Sequence, residues 1–464
     1  VLLANGTLLL AGDYYVTPKG AGEQTGADWA NALGKDSLDG LLAERLEPGD
    51  RILLGSGVYS GRPREGNTMM VLRRSGTEQR PVAIEGVDTG DGPPLILGRW
   101  TETNPKYHAH SAVGIALAEG VSHVRIVNLR ISHCMHGVKT SGDNRNINIA
   151  TLKIDHGREG ITLDGLSESS IEACRITHYT KRGVRFRERC ETLRISDVTV
   201  DCSGGERSWP TENFPIGFSI EDGPGNRNIR YECCTARNNV HTFEPDAYWN
   251  GDGFNAEREA EGLSYSKCLS VDNNDGGWDD KSLAPVLIDC VSIGNKRAFR
   301  FWNVRGDEAH PAKMTNCLGV NSIKRGGIGS VCGIWLCGFV EADSCTMHGT
   351  ASCAVELDNN DRPSSLVARN CIFSTDRTTN DDHLIRQESG TRYEPDGVEL
   401  WRKGVQADAP RYVAPSADWN GEPADAYNSQ RFGPKRGYWI EGKGKNGGEC
   451  GSSAPASVYK TLPL

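Results

Sequence analysis

Short apolar segments recur along most of this chain at intervals of 22 to 36 residues, and each is too short to be a helix. VRIVNL ends at Leu129, INIATL at Leu152, SIEAC at Cys174, LRISDV at Val198 and IRYECC at Cys234. LSYSKC, VLIDC, KMTNC, EADSC and LVARNC follow, ending at Cys268, Cys290, Cys317, Cys345 and Cys371. Inside each segment the apolar residues alternate and then skip: Val124 and Ile126, Ile147 and Ile149, Leu193 and Ile195, Ile229 and Tyr231, Leu263 and Tyr265. Alternation with a skip describes a short strand of period two that ends in a bend. A repeat of this length built from strands alone must bury its inward side chains against the turns above and below. The fold class read from this is all-β, a right-handed parallel β-helix of about ten turns.

Every turn carries a second strand, written small–apolar–x–apolar. It starts at Gly137, Gly160, Gly183, Gly217, Gly253, Gly277, Ala298, Gly333 and Ala354. The apolar residues face inward, so x and x+2 face out. The outward column is then Lys139, Thr162, Arg185, Ser219, Asn255, Asp279, Arg300, Trp335 and Glu356. Beside it run Asp164, Arg187, Glu221, Glu257, Lys281 and Trp302. Adjacent turns lie ~4.8 Å apart, which makes Asp279 and Arg300 neighbours on one open face.

Fifteen cysteines would ordinarily suggest disulfides or metal, but an odd number cannot all pair, and no CxxC…CxxC spacing is present. Cys174, Cys234, Cys268, Cys290, Cys317, Cys345 and Cys371 share one column, where a small apolar side chain stacks inside. Four residues on lie His133, His156 and His178, then Cys202, Asn238 and Asn321, with Asn273 and Asn295 one place further. A polar ladder at a bend accounts for the histidines without a metal.

The ends differ. Residues 27–48 contain an Ala/Leu-rich stretch suited to an amphipathic N-terminal capping helix, which a solenoid needs over its first open turn. The repeat fades beyond about 376. The expected organisation is therefore a β-helix with its cap over 1–375 and an irregular tail over 376–464 packed against it.

A net charge of −9 argues against nucleic acid as partner, and no run approaches the 18 apolar residues of a membrane span. Basic residues are nonetheless bunched in KRGVRFRER (181–189) and NKRAFRF (295–301), as a polyanionic ligand requires. The opening VLLANGTLLLAG has neither Met nor a basic n-region, so it is read as the start of a mature chain, leaving secretion or a periplasmic location open. NNDGGWDDKS (273–282) brings Asp275, Asp279 and Asp280 above the Asp252 of GDGF. Carboxylates this close repel unless a cation holds them, and an oxygen-only set suits Ca²⁺. Aspartate and asparagine that merely decorate β-turns are the bland alternative.

GDGF (251–254), DNNDGGWD (272–279) and the basic residue of AFRF resemble polysaccharide lyase family 9, a family of right-handed parallel β-helices. DYYVTPKGAG, LEPGDRILLGSGVYSG (47–61) and SGTEQRPVAIEG (75–86) are similar to its first turns, and the likeness covers roughly residues 12–375. The resemblance implies Ca²⁺ on Asp252, Asp275 and Asp279, with Asn274 or Gly276 where a further aspartate stands in the family and Asp280 as a substitute. It places the proton-abstracting base at Arg300, with Lys281 as the other candidate. Arginine is a demanding base because its guanidinium stays protonated.

The implied reaction is β-elimination on a uronic acid residue, the cation and arginines stabilising the developing enolate. Arg182, Arg185 and Arg187 would grip substrate carboxylates, Trp302 and Trp335 would stack on sugars, and Asn255 would line the same groove. The expected partner is an acidic polysaccharide or oligosaccharide met by a monomer. Two alternatives stand beside the lyase: a hydrolase of the same fold with Asp252 and Asp279 as acid and base, and a solenoid that only binds glycan.

Overall fold

The computed structural model describes residues 11–61, 68–101, 113–203, 214–240, 250–324, 329–350, 352–375 and 384–402, with three short strands at 411–413, 439–443 and 449–450. Strands coil into three long parallel sheets, A, B and C, of 15, 13 and 12 strands. One turn runs, for example, from Asn144–Ala150 in sheet A through Lys153–Asp155 in B to Glu159–Leu163 in C. Each strand pairs with those one turn before and after, as with Ile147↔Val124 and Ile149↔Ile171. The molecule is a right-handed parallel β-helix, with turns beyond the ten legible as repeats.

The skip in the sequence pattern has a backbone cause. The residue before each column position takes a left-handed φ near +50°: Asn128, Thr151, Ala173, Asp197, Cys233, Lys267, Asp289, Asn316, Ser344 and Asn370. One such residue turns the chain from sheet A to sheet B, and the next side chain drops inside. A second left-handed site, at His133, His156, His178, Asn238, Asp272 and Asn321, turns it toward sheet C. Asparagine and aspartate recur there because their short polar side chains tolerate that region.

The interior is a set of stacks. The seven column cysteines are free and buried, and their thiols reach backbone carbonyls, as Cys290 Sγ does toward Tyr265 O at 3.5 Å and Ile288 O at 3.4 Å. Phe218, Phe254, Trp278 and Phe299 lie face to face at 4.8–5.1 Å, with Tyr231 and Tyr265 stacked at 4.9 Å beside them. On the outside, the rings of His133, His156 and His178 stack at 5.1 and 4.7 Å, the ladder read from sequence.

The cap region is helical only in short pieces, at Trp29–Asn31, Lys35–Ser37, Leu38–Gly40 and Leu41–Arg45. The last three run on without a break, bounded by the extended backbone of Gly34 and Leu46, but change hydrogen-bond pattern from one turn to the next, so the cap is shorter and less regular than its composition suggested. Leu38, Leu41, Leu42 and Leu46 still join the apolar core. At the other end the solenoid runs past 375. Ile385–Gln387, Arg392–Asp396 and Glu399–Arg402 extend sheets C, A and B. That turn puts Tyr393 and Pro395 against Leu366 and Ala368, which hides the repeat from a search for alternating aliphatics. Most of the tail lies outside the described residues.

Candidate active site

Sheet C carries the outward column in one unbroken register: Lys139↔Thr162, Thr162↔Arg185, Arg185↔Ser219, Ser219↔Asn255, Asn255↔Asp279, Asp279↔Arg300, Arg300↔Trp335 and Trp335↔Glu356. Asp279 and Arg300 are therefore neighbours because Trp278 and Phe299, between which no slip is possible without exposing an aromatic ring, are stacked inside.

The carboxylates divide into three environments. Asp252 is fully buried; its Oδ1 accepts the Gly276 N–H at 2.7 Å. Burial, with Asp279 and Asp275 nearby, pushes its carboxyl well above the ordinary carboxylate range, so it holds its proton. Asp279 is also buried, but Arg300, Lys281 and Arg297 outweigh that burial and keep it ionised, below its usual value. Arg300 Nη1 donates to Asp279 Oδ2 at 2.6 Å, and Lys281 Nζ lies 3.6 Å from the same oxygen. Asp275 pairs with the Arg297 guanidinium and with Lys296 at 3.5 Å. Asp280 does not belong to the cluster. Its register partners are Ala256 and Phe301, so it faces inward, accepting from Tyr265 Oη at 2.9 Å and from Ser282 N at 2.9 Å. The strand alternation that puts Asp279 outside forces its neighbour inside.

Calcium would compete here with cations of the chain itself. Asp252 Oδ2 and Asp279 Oδ1 are buried without a hydrogen-bond partner, which a cation would remedy. Yet among the described residues the three aspartates do not bring oxygens all within 4.8 Å of one another. Lys281, Lys296, Arg297 and Arg300 already supply positive charge to Asp275 and Asp279.

The two base candidates are both engaged. Arg300 is salt-bridged and stacked at 4.9 Å over Trp302 and 4.8 Å over Trp335, so it is held as a cation. Lys281 donates to Glu257 at 2.6 Å, and Asp279 and Glu257 outweigh its burial to raise its value. Neither environment favours a neutral base.

Other expected contacts move too. Trp302 is buried, its Nε1 donating to Asp361 at 2.5 Å, and Trp335 lies under Arg297 at 4.1 Å; both rings brace arginines rather than lie open for a sugar. Arg182 donates to the carbonyls of Lys181 and Phe214 and so ties the backbone. Arg185 stays on the groove, paired with Glu159 at 2.8 Å and Glu221 at 2.7 Å, and Arg187 stands 3.5 Å from Asp164. Asn255 is nearly buried within 3.4 Å of Glu257 and Ser219. Sequence reasoning gave no role to Lys296 and Arg297, which stood in the quoted basic strip, or to Glu257, already in the second column beside Lys281. Asp361 had no local signal, since it arrives from a loop 59 residues away. A second basic cluster surrounds Glu159, where Lys181 is pulled down to about 8 by burial and by Arg158 and Arg182.

No protein-family model matches the chain, and no curated protein is significantly similar to it. Solved structures are similar in fold. The GH136 lacto-N-biosidase from Eubacterium ramulus matches with TM-score 0.52 at 13% identity, over 84% of this chain and 68% of that one. A rhamnogalacturonan lyase matches at 0.46 and 10%, over 88% and 91%. The pectate lyase Pel9A matches at 0.36 and 12%, over 87% and 82%. At such identities the likeness shows the parallel β-helix and nothing finer.

Proposed function

We propose that this protein is a polysaccharide-active enzyme that cleaves an acidic glycan lying along the outward column of sheet C. Support for an acidic ligand comes from the cations gathered there, Arg185, Lys281 and Arg300, on a chain whose net charge is −9. Their position beside buried aspartates supports chemistry at that point of the groove.

The observation that carries the reaction is two buried carboxyl groups on adjacent turns in opposite surroundings, Asp252 without a cationic partner among the described residues and pushed up by burial, Asp279 held down by Arg300 and Lys281. Two carboxyl groups driven apart in this way serve as acid and base. In glycoside hydrolysis Asp252 gives its proton to the departing glycosidic oxygen, and Asp279 activates water or attacks the sugar. Arg300 and Lys281 hold the substrate carboxylate while screening Asp279. The residues present require no calcium for this.

One observation favours elimination instead. Arg300 and Lys281 reach the groove surface, with side chains 17% and 15% exposed, while Asp279 lies beneath them at 3%. A lyase reaction, in line with the resemblance to polysaccharide lyase family 9, would require Lys281 to shed its proton once a substrate separates it from Glu257. A polymer of this kind is met outside the cell or in the periplasm, where we place the protein, acting as a monomer.

Incubation with polyuronides separates the readings. New reducing ends without ultraviolet absorbance, lost by ~10²–10⁴-fold in Asp279→Asn, support hydrolysis. An unsaturated, absorbing product lost in Lys281→Met establishes elimination, and a glycan bound but unchanged overturns both.

A further inference from the structure

Among the described cysteines outside the interior column, Cys332 and Cys353 share a setting of their own. Cys332 and Cys353 are register partners on adjacent strands of sheet C, in the file of side chains that contains Arg297 one turn earlier. Glu356 follows on the second of these strands, in the outward column next to Trp335. The two sulfurs and a carboxylate oxygen of Glu356 all lie within 4.8 Å of one another, and all three residues are buried.

The carboxylate is oriented. Glu356 Oε1 accepts from Ser330 Oγ at 3.2 Å and from Arg386 Nη1 at 3.2 Å, while Oε2 turns toward Cys353 Sγ at 3.9 Å. One oxygen is thus held by outer groups, and the other is presented to the thiols. Outer-shell partners of this kind fix a metal ligand's direction. Two thiolates and a carboxylate suit a thiophilic ion rather than calcium. Tetrahedral bonds of ~2.0–2.3 Å separate ligand atoms by roughly 3.5–3.8 Å, within the span observed.

We propose that Cys332, Cys353 and Glu356 form a binding site for one zinc ion, with the fourth position left to water. Binding releases the two thiol protons, so affinity rises with pH. The ion carries two positive charges against two thiolates and one carboxylate, and Arg386 and Arg297 face the remaining negative charge. Its place pins neighbouring turns of sheet C beyond the aspartate cluster.

The test uses the full chain, purified under reducing conditions and titrated separately with Zn²⁺ and Co²⁺. One equivalent of zinc should survive desalting, and cobalt should produce thiolate charge-transfer absorption. Both should disappear in Cys332→Ser/Cys353→Ser and persist in Cys317→Ala, which alters only the interior column. Arg386→Gln, which leaves all three ligands in place, should weaken binding by ~10–100-fold. Absence of stoichiometric metal in the native chain overturns the proposal. So does a cobalt band unchanged in the double variant, or a mass spectrum showing a Cys332–Cys353 disulfide that persists under the reducing conditions.

Discussion

Asp279 and Asp280 are adjacent in sequence and opposite in role. Asp279 faces Arg300 and Lys281 on the groove; Asp280 sits among core side chains, where burial pushes its carboxyl up to about 6. An acid whose folded value lies above its unfolded one keeps its proton in the fold and loses it in the unfolded chain between the two. Stability is therefore fullest below about pH 4 and falls as pH rises toward 6, by roughly 3 kcal/mol for this one group. Asp280→Asn should remove that slope while its Oδ1 still accepts from Ser282 and its Nδ2 donates to the Tyr265 hydroxyl, as urea unfolding at stepped pH would show. An unchanged slope would place the titration elsewhere. From sequence, the outward position of Asp279 was legible because strand alternation is strict. Whether Asp280 followed it was not, because a run such as DGGWDD occurs in turns and strands alike.

At the level of one turn, the decisive element is the single left-handed residue that links sheets A and B. Most turns use Asn, Asp, Ser or Lys there, but one uses Ala173, at φ 50° and exposed to solvent. A non-glycine residue in this region costs ~1–2 kcal/mol, part of which glycine's extra freedom in the unfolded chain cancels. Ala173→Gly is expected to stabilise by ~0.5–1 kcal/mol, and Ala173→Val to destabilise by at least as much. Denaturant midpoints would measure both; stabilisation by valine would contradict the backbone account. The repeat was readable because this bend fixes how many residues separate inward side chains. The end of the solenoid was not, since Tyr393, Pro395 and Val398 fill the same positions without the aliphatic signature.

Across the whole molecule, stacking turns 21 to 24 residues apart converts scattered charges into one neutralised cluster: Asp252 with Asp279, Asp275 with Lys296 and Arg297, Asp279 with Arg300. Because lysine and arginine occupy the place of a metal's charge, a calcium-selective chelator such as EGTA should leave the cleavage rate within about twofold, while added salt should weaken polyanion binding as surface charges are screened. A rate abolished by EGTA and restored by Ca²⁺ would show that the carboxylates regroup around an ion. The sequence by itself determined the coil, the inward stacks and the outward column, because period-two alternation and a fixed bend are local and repeat at every turn. Only the tertiary structure decided the chemistry of the cluster. Protonation, ion pairing and the covering of Trp302 by Asp361 depend on distances between residues far apart in the chain, which no local pattern records.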